Sequence, residues 1–144
     1  MTIRPLLEHK YLLTLVIVYT CLISWLSLAR IIIPVEVNVE GSDKIGHLLA
    51  YFVFTIVWFL FFFYSKKQFR KFSQSWIWAS LIGFLFGILM EFLQASVTNY
   101  RSPDWQDAIA NTTGIVFAVL LLNLVKKNLI KLRTRLDFLD VSEN

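Results

Sequence analysis

Long apolar runs separated by short polar stretches organise this chain, and four of them are long enough to cross a bilayer. Residues 11–29 carry no charge and are bounded by Lys10 and Arg30. At about 1.5 Å per residue, a helix of that length covers a hydrocarbon core of ~30 Å. A second helix is predicted over 42–64, with Ser42 as N-cap, Asp43 in the first turn and the run VFTIVWFLFFFY behind them. A third is predicted over 76–97, opened by the interfacial aromatic Trp76. Ser102-Pro103-Asp104 supplies an N-cap, a proline at the first helical position and an acid behind it, which starts a fourth helix over 103–125. The pattern predicts an all-α membrane protein with four transmembrane helices. A signal peptide is the rival reading of the first run, but the run is long for one and lacks a clean small-x-small cleavage site.

The polar stretches orient the bundle. Residues 1–10 form a short basic lead-in, the second connection holds Lys66, Lys67, Arg70 and Lys71, and a Lys/Arg-rich tail occupies 126–144. These alternate with two acid-containing connectors, 30–44 and 99–107. The positive-inside rule then predicts an N-in/C-in bundle, with both termini cytoplasmic and both acidic connectors outside. Leu129, Leu132, Leu136 and Leu139 are spaced to form a basic amphipathic helix on the inner surface. The mixed charge of 137–144 equally suits a frayed end.

Composition sharpens this picture. A chain of 144 residues is one domain's worth, and 57% hydrophobic residues with mean hydropathy +0.63 exclude an ordinary soluble fold. The net charge of +4 lies at the chain ends and in one loop, a distribution suited to anionic lipid. No basic-aromatic interleaving of the kind nucleic acid requires is present. Cys21 stands alone in an apolar run, which excludes an intrachain disulfide and reads as a small buried hydrophobe.

Against that background, the polar residues inside the spans stand out, because ionisable groups in lipid are costly and mark sites. Asp43, His47 and Tyr51 step by four along the second helix with Lys44 beside them. Ala79, Gly83, Gly87 and Glu91 form a four-spaced stripe on the third, a small-residue seam that carries Glu91 at its top and continues to Gln94 and Thr98. Asp104, Asp107, Asn111 and Gly114 step by three or four on the fourth, with Ala110, Gly114 and Ala118 as a second seam. Counting ~1.5 Å per residue, Glu91 lies roughly 9 Å and Asn111 roughly 12 Å from the outer ends of their helices. Three helices thus bring polar groups to similar depth on one side. Lys44 and Arg101 are the candidate anion holders there, Arg101 through a bidentate pair. Glu91 and His47 are candidate acid/base groups, and Asp43, Tyr51, Gln94, Asp104, Asp107 and Asn111 are candidate ligand contacts. Each has a plainer alternative: anchoring at the interface for Lys44 and Arg101, interhelical hydrogen bonding for Asn111, a satisfied core histidine for His47. A metal held by His47, Glu91 and Asp107 is weakly supported by a single histidine, so no metal or cofactor is assigned. No serine sits in an activating context.

Three linked motifs carry a resemblance: Asp43-Lys44-x-x-His47-x-x-x-Tyr51, Glu91-x-x-Gln94, and Arg101-x-x-Asp104-x-x-Asp107-x-x-x-Asn111-x-x-Gly114. In this order, across residues 41–122, the chain resembles the VanZ-like integral membrane proteins. Ala118 stands where a second glycine is expected, and the tail lies outside the resemblance. The resemblance implies a multi-pass protein of a bacterial plasma membrane, connected with cell-envelope lipid or glycopeptide chemistry; the family's namesake is associated with teicoplanin resistance, a form of antibiotic resistance. The expected function is an outward-facing polar pocket that binds an anionic lipid headgroup or a polyprenyl-phosphate-linked precursor. A membrane enzyme, hydrolase or transferase, acting on such a lipid is the alternative, as is a structural protein without a ligand. The small-residue seams are compatible with a homo-oligomer.

Overall fold

A computed structural model describes residues 7–28, 42–97 and 104–142, with side chains described except at Ser42 and 139–142. Its elements, in order, are α1 (His9–Leu28), α2 (Ser42–Tyr64), α3 (Phe72–Val97), α4 (Trp105–Leu124) and α5 (Lys126–Ser142). The first four are long and apolar enough to cross a membrane. Only 17% of the α1 window and 39% of the α2 and α4 windows is buried within the chain, so large apolar side chains cover the outside of the bundle as lipid requires. The protein is an all-helical, multi-pass membrane protein.

The second helix is the hub, packing against α1, α3 and α4. Its closest neighbour is α4, and Gly114 is the reason: a Cβ there would overlap the carbonyl oxygen of Leu48 and lie 3.0 Å from the backbone nitrogen of Phe52. Gly83 and Gly87 on α3 play a looser version of this role, with side chains of Ile115, Phe54 and Tyr51 filling the space in front of them. Aromatics pack the middle and far end of the hub. Phe54 stacks on Phe86 with ring centroids 5.0 Å apart, while Phe72 meets Phe59 and Phe63 edge-on.

Several element details depart from the sequence expectation. The third helix opens at Phe72 rather than Trp76, because Gln74 Oε1 accepts the backbone N–H of Lys71, the returning half of a capping box. For α4, the N-cap is Asp104, whose side chain accepts the Gln106 N–H at 2.8 Å; Ser102 and Pro103 lie outside the described residues. Cys21 is exposed rather than buried. The first helix buries only Leu12, Val16 and Ile23, a narrow stripe that misses Cys21 and leaves it facing the lipid side. Of the two readings of the tail, the helical one holds. α5 runs to Ser142, and Leu129, Leu132 and Leu136 pack against the end of the core.

One end of the bundle is strongly basic and tied together by polar contacts. His9 Nδ1 and Ser65 Oγ are 2.6 Å apart, Tyr64 donates to the Leu129 carbonyl, and Arg133 donates to the Arg70 carbonyl at 2.8 Å. The Arg133 guanidinium also lies 3.8 Å from the ring centroid of Phe69, a residue held at φ 37°, in the left-handed region that costs a non-glycine residue strain. Arg133→Ala is therefore expected to release α5 from the 65–71 loop. The loss is ~1–3 kcal/mol from one charged hydrogen bond and the stacked rings. Limited proteolysis should show the release as faster cleavage after residue 125, with the four-span core intact.

Candidate functional site

At the opposite end, α2 and α4 both begin, and their first turns face each other. Lys44 Nζ and Asp104 Oδ2 form an ion pair at 3.2 Å. Both side chains are more than a third exposed, so the pair fixes position more than it stabilises. The N–H of Gln106 and then Lys44 hold the Asp104 carboxyl below the usual carboxylate range. Its contribution to the α4 start is therefore complete above the ordinary carboxylate pKa and is lost as pH falls through the lower folded value. The protection factor of the Gln106 amide against hydrogen exchange should fall in that acidic window, and Lys44→Met should move the fall to higher pH.

One turn deeper, His47 sits between the two helices with its side chain 11% exposed. Its Nδ1 is 3.1 Å from Asn111 Oδ1. An amide oxygen only accepts, so the proton of a neutral imidazole resides on Nδ1 and Nε2 carries the lone pair. That nitrogen points at two carboxylates, Asp107 Oδ2 at 3.6 Å and Asp43 Oδ1 at 3.8 Å, both beyond hydrogen-bonding distance. Asp43 is 60% exposed and Asp107 only 6%, so the cluster runs from the bundle's end into its interior.

Around His47, three buried polar atoms have no hydrogen-bond partner: Asp107 Oδ1, Asn111 Nδ2 and Tyr51 Oη. Two of these side chains meet at Gly87, where an added Cβ would lie 3.3 Å from the Tyr51 ring and 3.6 Å from Asn111 Nδ2. Buried groups of this kind are nearly always satisfied in native proteins. Glu91, half-buried one turn along α3 from Gly87, acts electrostatically on Tyr51 and so borders the same region.

The structure thus brings together Asp43, Lys44, His47, Asp104, Asp107 and Asn111 directly, with Tyr51 and Glu91 at the inner edge. Gln94 goes elsewhere: its Nε2 donates to the Ser27 carbonyl on α1 at 2.9 Å. Arg101 and Thr98 lie outside the described residues. Two features escape sequence reasoning: the His47–Asn111 bond that sets the tautomer, and the pairing of Asp43 rather than Glu91 with Asp107 around His47. The i, i+4 spacing of Asp43 and His47 signals the first half of that second arrangement; only the rotation of α4 against α2 supplies the rest.

Fold and cluster together define a small multi-pass helical membrane protein whose polar groups gather at one end of the bundle, between two helix starts. Comparison with known proteins places it more closely. The VanZ/LLP1 family model matches residues 11–126, and the chain belongs to that family. An uncharacterised protein of the fission yeast Schizosaccharomyces pombe is similar, 31% identical over 127 residues that cover 87% of this chain and 71% of the relative. No solved structure matches the chain significantly.

Proposed function

We propose that the protein binds the headgroup of an anionic lipid, or of a polyprenyl-phosphate-linked envelope precursor, in the cluster between α2 and α4. The supporting observation is the trio of buried, unpartnered polar atoms on Asp107, Asn111 and Tyr51, which a ligand's own polar atoms would satisfy. Two helix starts flank the trio, and helix N-termini favour an anion. Lys44 already leans over the cluster, and Arg101 precedes Asp104 by three residues as a second cation. The basic end with its 65–71 loop and α5 would face the cytoplasm, which turns the cluster outward and puts both termini inside. On this reading the protein resides in a bacterial plasma membrane, and any part in glycopeptide tolerance, teicoplanin included, follows from lipid or precursor binding. A similar chain in a fission yeast favours the general lipid role over one confined to glycopeptides.

Native mass spectrometry tests this. The wild-type protein should retain a phospholipid or polyprenyl-phosphate adduct, and Arg101→Ala should retain it roughly tenfold more weakly, the loss of one charge-assisted hydrogen bond. Identical spectra without a specific adduct, for wild type, Arg101→Ala and Glu91→Gln alike, would favour a purely structural cluster.

A second reading, a lipid hydrolase or transferase, is favoured by the placement of His47 Nε2 between two carboxylates, where it can accept a proton from a substrate or water. It requires turnover that disappears in His47→Gln or Glu91→Gln.

A further inference from the structure

The charge of the cluster sits awkwardly with an anionic ligand. Among the described residues, Asp104 and Asp107 share one cluster ammonium, Lys44. Lys44 is engaged by Asp104, which leaves the buried Asp107 uncompensated beside the Nε2 lone pair. Three electron-rich atoms facing one another repel unless a positive charge lies among them.

Their arrangement is that of ligands. One atom each from Asp43, His47 and Asp107 can be chosen so that all three lie within 4.8 Å of one another. The two Nε2-to-oxygen distances are 3.6 and 3.8 Å. Donors each ~2.1 Å from a tetrahedral ion stand ~3.4 Å apart, so both histidine-to-carboxylate spacings are close to those of a ligand set, and the exposed Asp43 side chain can move to close the third. The histidine is already oriented for ligation. Asn111 accepts its Nδ1 proton, the outer hydrogen bond that typically fixes a ligating imidazole with the other nitrogen free. The independent sign of a missing partner is Asp107, whose side chain is only 6% exposed while its Oδ1 has no hydrogen-bond partner. A buried carboxylate in that state calls for a neutralising partner, and a cation seated among the three donors supplies one.

We infer that Asp43, His47 and Asp107 form a binding site for a divalent cation, of the Mn2+ or Zn2+ type that suits one imidazole and two carboxylates. Three protein donors leave coordination positions open toward the end of the bundle, where Asp43 is exposed. An open position is where a phosphate oxygen would bind. The cation offsets the charge of the buried Asp107 and lets the cluster accept an anionic headgroup. This last step rests on the headgroup reading; the cation site itself does not.

The test is a Mn2+ titration of the full-length protein in detergent, without added lipid, followed by electron paramagnetic resonance. Saturable loss of the free-ion signal at one Mn2+ per chain is expected, displaced by Zn2+. Asp107→Asn and His47→Gln should weaken uptake by ~100-fold or more, and Asn111→Ala, which removes only the outer bond, by ~10-fold. Asp43→Asn changes an exposed side chain that cannot unfold the bundle, and it too should weaken uptake. No saturable uptake of Mn2+ or Zn2+ by the wild type, or uptake undiminished in Asp43→Asn and Asp107→Asn, overturns the site. The two proposals fail separately: lipid adducts that survive EDTA in the wild type remove the bridging cation and leave headgroup binding, whereas saturable Mn2+ uptake by a chain that retains no lipid does the reverse.

Discussion

Gly114→Ala is expected to be the most damaging small substitution in the chain. The added methyl would overlap the Leu48 carbonyl oxygen and press within 3.0 Å of the Phe52 nitrogen and 3.1 Å of the Leu48 carbonyl carbon. All three are backbone atoms of a packed helix, so no side chain can swing aside and the two helices must separate. Overpacking costs ~1–3 kcal/mol even where side chains yield, and this site belongs at or above the top of that range. The damage reaches the cluster, since α4 carries Asp107 and Asn111 and α2 carries His47. Thermal unfolding in detergent should fall well below wild type, with loss of any Mn2+ or lipid binding. Gly46→Ala is the internal control. Nothing lies within 4 Å of its added carbon, so its unfolding temperature should be unchanged or slightly raised. Equal damage from both glycines would mean that helix propensity, rather than contact between α2 and α4, governs stability.

Asp107→Asn is expected to separate stability from binding. In metal-free, delipidated protein the buried carboxylate holds an unpartnered oxygen and faces the Nε2 lone pair. An amide in its place carries no charge and can donate to that lone pair. The favourable effect of an acid in the first turn of α4, ~0.3–1 kcal/mol, is smaller than the cost of keeping a carboxylate charge buried beside a lone pair, which the amide removes. The variant should therefore unfold in EDTA at the wild-type temperature or above it, while its Mn2+ uptake and lipid retention collapse. A cluster that merely locked the fold would give the opposite pattern, a lower unfolding temperature and nothing else to lose.

How much of this can be read from the chain differs by level. The four spans are written in hydropathy, and both polar stripes, Asp43-His47-Tyr51 and Asp104-Asp107-Asn111, follow from helical spacing. Spacing within a helix does not give the rotation of one helix against its neighbour. Here Gly114 against Leu48 fixes that rotation, and it brings Asp107 rather than Glu91 to His47. Gln94 shows the same limit. It shares a helix face with Gly87, seven residues earlier, but two turns along the crossing helices that face meets α1 at Ser27. The α3 start is obscured because Trp76 is a strong interfacial signal, whereas a glutamine reaching back one turn is a weak one. Cys21 defies its apolar surroundings because a helix in lipid has no need to bury its apolar residues in protein.

The thin attachment of α1 has a consequence for assembly. Beyond its stripe of three buried residues, the polar contacts that join this helix to the bundle include His9 with Ser65, Tyr19 donating to the Ala50 carbonyl on α2 and Gln94 of α3 donating to the Ser27 carbonyl. It is the first of the four to leave the ribosome, yet the partner for Ser27 is made about sixty-seven residues later. α1 therefore rests in the bilayer through hydropathy alone until α2 arrives to take up its first contacts, and its Ser27 carbonyl waits for the third helix. The polar cluster, by contrast, is built from α2 and α4 with α3 behind it, and is completed only as the fourth span enters. Insertion and cluster formation are thus successive events in the making of this protein, with the first helix anchoring a chain whose polar end is finished last.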